Sequence, residues 1–319
     1  MPILVGIDEA GFGPILGPLV ISSCTFSLAH NLISTDLWHL LRKSVGRRRK
    51  AIVGRLLITD SKKAYSKAIG IKHLQRTTLA SLKCLGTKPE KLSELFAALT
   101  PETLDRLESY PWYKNAAQSE ISINKDDVEI ASNVFADDMK ENGIKLLELK
   151  SCCLDVEHYN RLVNNVKNKA SVLFTATSQL IMSAWKNFAE DELQIVIDRQ
   201  GGRVHYRKNL QRMFPGTELT ILKETPENSS YELREGKKKM KLHFVVKADN
   251  KFLPVSLASM VSKYLRELLI ARINHYFAIH CSELKPTAGY WKDGSRFIND
   301  LQTNFPHVKY DSNQLIRSR

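Results

Sequence analysis

The segment that decides the fold is Ile3 to Phe26, ILVGIDEAGFGPILGPLVISSCTF. Within it, the apolar run Ile3 to Asp8 and the β-rich run Leu19 to Phe26 are typical of β-strands. Between them lies GFGPILGP, whose three glycines and two prolines require a tight, irregular connection. The segment therefore predicts two neighbouring strands, the first of which ends in a pair of acidic residues.

The rest of the chain interleaves strand patterns with helix patterns. Leu193 to Asp198, LQIVID, repeats the pattern of an apolar strand that ends in an aspartate. Two β-like runs, Tyr231 to Leu233 and Leu242 to Val246, predict a hairpin whose tip is the lysine-rich stretch between them. Pro254 marks the start of a long helix that we expect to end near Ala278. This alternation predicts an α/β fold with a mixed central β-sheet flanked by helices.

The charge of the chain is strongly basic and unevenly distributed. The 319 residues carry a net charge of +13, which favours a polyanionic partner because basic side chains gain free energy by neutralising phosphates. Between Glu90 and Glu141, however, twelve acidic residues face five basic ones. We interpret residues 85–143 as an acidic helical insertion, and we expect the basic surface to lie outside it.

Several classes of protein are disfavoured by the composition. The five cysteines include no CxxC pair and no histidines at zinc-binding spacing, so neither a disulfide framework nor a zinc site is expected. No apolar run approaches the roughly 20 residues that cross a bilayer, and the chain starts almost at once with a strand pattern. We therefore expect a cytoplasmic protein that does not bind membranes, and we expect it to be a monomer.

The acidic residues at strand ends suggest a metal site. Asp8 and Glu9 end one apolar run and Asp198 ends another, and neighbouring strands would bring these carboxylates to one edge of the sheet. On the long helix, Glu267 shares a face with Lys263 and is a candidate fourth acid. Clustered carboxylates attract Mg²⁺ or similar hard cations. Taken singly, each acid also has a plainer interpretation as a cap, a turn residue or a solvated side chain.

The block Val5 to Ile21, VGIDEAGFGPILGPLVI, closely resembles the opening signature of the ribonuclease HII (type 2 ribonuclease H) family, GIDEAGRGPxxGPLV. Further blocks follow in the order of the family and are most similar to its archaeal and eukaryotic branch. They are TDSKK at Thr59 to Lys63, the KAD of Lys247 to Asp249 with Leu253 to Glu267 (LPVSLASMVSKYLRE), and Ala288-Gly289-Tyr290 with Asp293, which is similar to SGYPxD.

The resemblance implies a ribonuclease H-like fold and hydrolysis of the RNA strand of RNA/DNA hybrids by two metal ions, Mg²⁺ or Mn²⁺, leaving 3′-hydroxyl and 5′-phosphate ends. By motif position it implies that Asp8 bridges both ions, that Glu9 and Asp198 favour one, and that Glu267 holds the other. Glu267 stands where the family usually has an aspartate, and ribonuclease HIII also has a glutamate there. The assignment of Asp198 rests on its strand pattern and its order in the chain.

The same motifs imply contacts with the nucleic acid. The backbone at Gly11 and Gly13 can approach a sugar closely and read a 2′-hydroxyl, and Tyr290 can stack on a sugar or base. Phe12 replaces the arginine of the family, so a contact of that arginine with the backbone beside the scissile nucleotide is missing. This substitution places cutting at a single embedded ribonucleotide in doubt. The other expected substrate contacts are Ser61, Lys62, Lys63 and Lys263.

On this interpretation the chain divides into three parts. Residues 1–84 and 144–278 form the ribonuclease H-like catalytic core, residues 85–143 form the acidic helical insertion, and residues 279–319 form a C-terminal helical region that contacts the substrate. Three roles remain open for the insertion: packing against the basic body, contact with a protein partner, or limiting access to the nucleic-acid groove.

Two other functions remain open from the sequence. One is a catalytically altered nucleic-acid-binding protein of the same fold, since Phe12 and the insertion mark divergence from the family. The other is a metal-dependent nuclease with a different substrate, such as structured DNA.

Overall fold

The computed structural model describes residues 1–29, 35–66 and 68–318, and a seven-stranded sheet forms its centre. The order of the strands in this sheet is β5-β2-β1-β6-β9-β8-β7, and β3 pairs with β4 in a separate two-stranded sheet. The strands are β1 (Pro2–Ala10), β2 (Leu19–Leu28), β3 (Val45–Gly46), β4 (Leu56–Leu57), β5 (Ile144–Leu154), β6 (Glu192–Asp198), β7 (Glu218–Glu224), β8 (Asn228–Glu235) and β9 (Lys238–Val245).

The sheet is mixed, with three parallel strands at its centre. Strand β1 pairs antiparallel with β2 and parallel with β6, and β6 pairs parallel with β9. Helices cover both faces of the central strands, which explains why β1 and β2 are buried almost throughout. The predicted fold class, an α/β fold with a mixed central sheet flanked by helices, is confirmed.

The helices of the described ranges pack in two layers. One layer, which includes α3, α6 and α10, shares a core with one face of the sheet, and the other, which includes α7, α8 and α9, shares a core with the opposite face. The helices are α1 (Leu37–Leu40), α2 (Ser61–Ala64), α3 (Lys72–Cys84), α4 (Leu92–Leu99), α5 (Leu104–Leu107), α6 (Lys125–Glu141), α7 (Val156–Val166), α8 (Lys169–Phe188), α9 (Arg207–Met213), α10 (Leu253–His280), α11 (Trp291–Asn304) and α12 (Ser312–Leu315).

Two predicted elements differ in detail from the observed ones. The hairpin of β8 and β9 is present, but the two strands run to Glu235 and from Lys238, so most of the predicted lysine-rich tip belongs to β9. Apolar residues at helix spacing predict a long helical region from Val156 to Phe188. The structure has two helices there, because Lys167 takes a left-handed conformation with φ 51° and ends α7. Apolar spacing alone does not detect such a break, since both helices keep the same period.

The acidic insertion packs against the body of the protein. Its helix α6 contacts α3 and β5, and Phe135 on that helix is fully buried. The buried carboxylate of Asp138 accepts hydrogen bonds from the backbone N–H and the hydroxyl of Ser44, at 2.9 and 2.7 Å. Arg76 pairs with Asp127 at 2.6 Å. Packing on the body, the first of the three roles left open by the sequence, is therefore observed.

No helix in the described part of the chain combines the length and the apolar character that a membrane span requires.

The close contact between β1 and α10 gives a test of the fold. A Cβ atom added at Gly6 would lie 2.2 Å from the carbonyl carbon of Pro254 and from the nitrogen of Val255, which are backbone atoms that cannot move independently. We expect Gly6→Ala to lower the free energy of unfolding by about 3 kcal/mol or more. Chemical denaturation measures this, with Gly202→Ala as control, because a Cβ there meets no atom within 4 Å. Equal stability of the two variants would contradict the packing.

Candidate active site

The ends of the three parallel strands bring acidic residues to one edge of the sheet. Ile7 on β1 pairs with Ile197 on β6, so Asp8 lies beside Asp198. Asp198 in turn pairs with Val245, the last residue of β9. The chain then turns through Lys247, whose φ of 53° is left-handed, into a short 3₁₀ turn that contains Asp249. The strand-end prediction for Asp8, Glu9 and Asp198 thus matches their placement, and the structure adds Asp249.

Hydrogen bonds hold these acids in place. The carboxylate of Asp8 accepts the backbone N–H of Glu9 at 2.7 Å and also a hydrogen bond from the hydroxyl of Ser259 on α10. The carboxylate of Asp198 accepts the backbone N–H of Ala248 at 2.6 Å. Because Ala248 directly precedes Asp249, this bond ties the turn after β9 to the end of β6. The site is therefore assembled by the backbone of neighbouring strands.

The carboxylates raise one another's pKa values. Burial, followed by the charges of Glu9, Asp198 and Asp249, holds the pKa of Asp8 well above its usual range. Burial and the charge of Asp198 raise the pKa of Glu9 to about 8. Burial also raises the pKa of Asp198 to about 6, and the charge of Asp249 adds to that rise. The four side chains are thus close enough for their charges to act on one another, and a cation would offset both burial and repulsion.

Lysines of the α2 region lie beside this cluster. The charge of Lys62 lowers the pKa values of Glu9 and Asp198, so its ammonium group faces the acids. Lys63 donates to the side-chain oxygen of Asn250 at 2.6 Å, next to Asp249. The hydroxyls of Ser259 and Ser61 are hydrogen-bonded to each other at 3.0 Å. Ser61, Lys62 and Lys63 of the DSKK motif therefore lie beside the acidic edge.

The structure does not bring Glu267 into the acidic cluster. Its carboxylate accepts from Lys263 at 2.6 Å and from Arg266 at 3.2 Å, and the hydroxyl of Tyr65 also bonds to it. Glu267 lies eight residues beyond Ser259 on α10, roughly 12 Å along the helix. Ser259 is the α10 residue whose hydroxyl bonds to the Asp8 carboxylate, so helix geometry separates Glu267 from the carboxylate cluster. Asp249, which the sequence argument passed over, lies near Asp8, Glu9 and Asp198 instead.

A signal for Asp249 was present in the sequence. The residue follows the apolar run of β9 within a few positions, in the same way that Asp198 ends β6. It also belongs to the KAD block of Lys247 to Asp249. Applying the strand-end argument to every predicted strand would have identified it.

The cluster fits hard divalent cations by the chemistry of its donors. Asp8, Glu9, Asp198 and Asp249 offer carboxylate oxygens, which Mg²⁺ and Mn²⁺ prefer. Their mutual repulsion, seen in the raised pKa values, is what a cation would relieve. Within residues 1–29, 35–66 and 68–318, no three His, Cys, Asp or Glu side chains are already arranged to hold one ion.

The glycine-rich loop after β1 packs against α10. Gly11 has φ 98°, and a Cβ there would lie 2.6 Å from the carbonyl oxygen of Pro18, so only glycine fits. By contrast, a Cβ at Gly13 would meet nothing within 4 Å, which leaves its backbone open to a ligand. Phe12 packs partly against the core on the α8 side, and the ammonium group of Lys169 lies 5.4 Å from its ring centre.

Tyr290 lies beside this loop and is half-exposed. The backbone N–H of Ile15 donates to the carbonyl oxygen of Gly289 at 2.8 Å, which ties the tyrosine to the glycine-rich loop. The charged groups of Lys263 and Arg266 lie 5.8 and 5.4 Å from the Tyr290 ring centre. The half-exposed ring is thus flanked by two cationic side chains of α10 at the surface beside the glycine-rich loop.

Comparisons with known proteins give structural matches alone, since no family model and no curated protein matches the chain. One match is ribonuclease HII of Archaeoglobus fulgidus in complex with PCNA (15% identity, 99% of this chain, 94% of that chain, TM-score 0.48). Another is ribonuclease HIII from Bst with Mn²⁺ (12% identity, 99% of this chain, 66% of that chain, TM-score 0.42). A third is ribonuclease H2 from Pyrococcus horikoshii OT3 (14% identity, 98% of this chain, 92% of that chain, TM-score 0.41). At these identities and TM-scores, an activity has to be inferred from the site residues themselves.

The raised pKa values predict how stability depends on pH when no metal is present. Unfolded carboxyls titrate near pH 4 (about 3.9 for Asp and 4.3 for Glu), whereas Asp198 and Glu9 titrate at about 6 and about 8 in the folded state. The folded state therefore binds more protons in this window, and stability falls as pH rises from about 4 to about 8. In a chelating buffer, we expect Glu9→Gln to reduce the fall of the melting temperature between pH 5 and 9. If the melting temperature of this variant falls as much as that of the wild-type protein, the raised pKa of Glu9 is contradicted.

Proposed function

We propose that this protein is an endoribonuclease that hydrolyses the RNA strand of RNA/DNA hybrids by a two-metal-ion mechanism, leaving 3′-hydroxyl and 5′-phosphate ends. The observation that carries the proposal is the cluster of four mutually repelling carboxylates at one edge of the sheet, Asp8, Glu9, Asp198 and Asp249. The sequence motifs around the cluster support the substrate class, because they resemble those of ribonuclease HII. The net charge of +13 supports a polyanionic substrate.

In this proposal the four carboxylates hold Mg²⁺ or Mn²⁺, with Asp249 in the position first expected for Glu267. When bound, the ions supply an activated water and stabilise the leaving oxygen. The deprotonated state of Glu9 at neutral pH depends on that positive charge, because burial and the charge of Asp198 raise its pKa to about 8, and burial and neighbouring acids raise the pKa of Asp8 in the same direction. The hydrogen bonds from Ala248 and Ser259 keep two of the carboxylates oriented.

The groups around the acids position the substrate. Lys62, whose charge already faces the cluster, is suited to contact the phosphate that is attacked. The open backbone at Gly13 is suited to approach the ribose closely enough to distinguish a 2′-hydroxyl. Tyr290 offers a half-exposed ring for stacking beside the scissile nucleotide. Lys263 positions Tyr290 and Glu267 and does not contact the substrate itself, because its ammonium group is buried and paired with Glu267.

Paired substitutions distinguish the roles of Asp249 and Glu267. We expect Asp249→Asn to lower the cleavage rate at least about 100-fold, and to raise stability in metal-free buffer because it removes a repelling charge. We expect Glu267→Gln to lower the free energy of unfolding by about 3–5 kcal/mol, because Lys263 and Arg266 lose their buried counter-charge. Cleavage of a labelled hybrid and chemical denaturation measure the two effects. The reverse pattern would assign the metal to Glu267.

A panel of substrates tests the reaction itself. We expect cutting of a labelled RNA/DNA hybrid with Mg²⁺ or Mn²⁺, loss of this activity in Asp8→Asn, and weaker cutting at a single embedded ribonucleotide because Phe12 cannot pair with phosphate. Duplex RNA and duplex DNA are the controls. Cutting of duplex DNA alone would indicate a nuclease with another substrate, and salt-dependent binding without turnover under either metal would indicate a binding protein.

A further inference from the structure

Arg317 is a buried arginine that fastens the end of the described chain to the glycine-rich loop. It follows α12, and its backbone N–H donates to the carbonyl oxygen of Ile15 at 2.8 Å. Its Nη2 donates to the carbonyl oxygens of Gly11 and Pro14. Its side chain is almost fully buried, with 3% of its surface exposed. The guanidinium is thus brought to the loop in which Phe12 replaces the arginine of the ribonuclease HII signature.

The positive charge of Arg317 has no acidic partner among the residues that the structure describes. Its Nε and Nη1 are buried without a hydrogen-bond partner, and its remaining charged-group contact is the ring of Tyr159, 4.8 Å away. Burial and the nearby charge of Arg266 lower the pKa of Arg317 to about 9. Burying a charge without a counter-ion is costly. An anion beside Arg317 would remove that cost.

A cavity next to Arg317 provides room for such an anion. It has a volume of about 240 Å³ and is lined by Phe12, Gly13, Tyr159, Lys169 and Arg317, among others. Lys169 is the first residue of α8, a helix of 20 residues, so its ammonium group and the positive end of the helix dipole contribute to the same region. The cavity therefore combines a cationic lining with the open backbone of Gly13.

We propose that this cavity binds one phosphate group of the nucleic-acid strand that lies across the acidic edge, with Arg317 and Lys169 as the cations that recognise it. The inference rests on the proposed function for the identity of the strand. Gly13 connects the two sites, because it lines the cavity and belongs to the loop that starts at the end of β1. Arg317 and Lys169 thus supply from other parts of the chain the positive charge that Phe12 lacks.

The test measures binding of a labelled RNA/DNA hybrid to the full chain in a chelating buffer, where cleavage does not interfere. The hybrids carry one uncharged methylphosphonate linkage at successive positions. We expect a methylphosphonate at one position to weaken binding by the wild-type protein roughly ten-fold. The same linkage should leave the affinity of Arg317→Met unchanged. We expect Lys169→Met, which removes an exposed charge, to lower the slope of log affinity against log salt by about 0.9. Lys145→Met, at the opposite edge of the sheet, is the matched control and should bind like wild type.

The outcomes separate this inference from the proposed function. A position-specific contact that Arg317→Met abolishes supports the cavity even if no hybrid is cut. Cleavage of hybrids with identical binding by wild type, Arg317→Met and Lys169→Met overturns the cavity and leaves the activity standing. Inorganic phosphate provides the second arm: a rise in melting temperature of wild type with phosphate, without any position-specific contact on the hybrid, assigns the cavity to free phosphate and overturns the proposal. Lys169→Met decides the case if Arg317→Met fails to fold.

Discussion

The contact between β1 and α10 is the constraint on which the rest of the site depends. At Gly6 the strand and the helix touch through their backbones, which fixes how the helix runs beside the strand. Further along, Ser262 donates to the carbonyl oxygen of Asp8 at 3.0 Å, and Arg266 donates to that of Leu16 at 3.3 Å. One helix therefore sets the position of the first acid and of the glycine-rich loop. A backbone contact without side chains between them permits little displacement, so these positions are coupled.

The acidic cluster shows how the fold places charge where it is unfavourable without a ligand. Asp8 and Asp198 lie on the paired strands β1 and β6, and Asp249 lies in the turn that follows the next strand, β9. The sheet therefore keeps the carboxylates together although they repel, and their pKa values rise as a consequence. Lys62 offsets a part of this repulsion. Stability of the sheet thus sustains a site whose own electrostatics oppose it, which is typical of a functional site.

Much of the fold and the strand-end acids of the site could be predicted from the sequence, because both depend on local patterns. Apolar runs that end in acids gave β1, β6 and the placement of Asp8 and Asp198. The fourth acid could not be obtained from helix periodicity, because a shared helix face says nothing about distance along the helix, and Glu267 lies too far along α10. Its partners Lys263 and Arg266 lie within one turn, so local pairing determines its environment. The burial of Arg317 without a counter-ion could not be predicted from neighbouring residues, since its side chain contacts Gly11, which is far away in the sequence.

The unbalanced charges near the glycine-rich loop have opposite signs. Asp8 and Glu9, on the strand that leads into the loop, carry with their neighbours more negative charge than Lys62 offsets. Arg317, which bonds to carbonyl oxygens of the loop, carries positive charge with no described acid beside it. Glu267 pairs with Lys263 and Arg266, so these three side chains are already neutralised among themselves. A phosphodiester strand accompanied by divalent cations matches both requirements at once, because it brings cations to the acids and a further phosphate to the arginine. A small isolated anion would satisfy the arginine and leave the carboxylates unchanged, so the arrangement as a whole favours an extended polyanion.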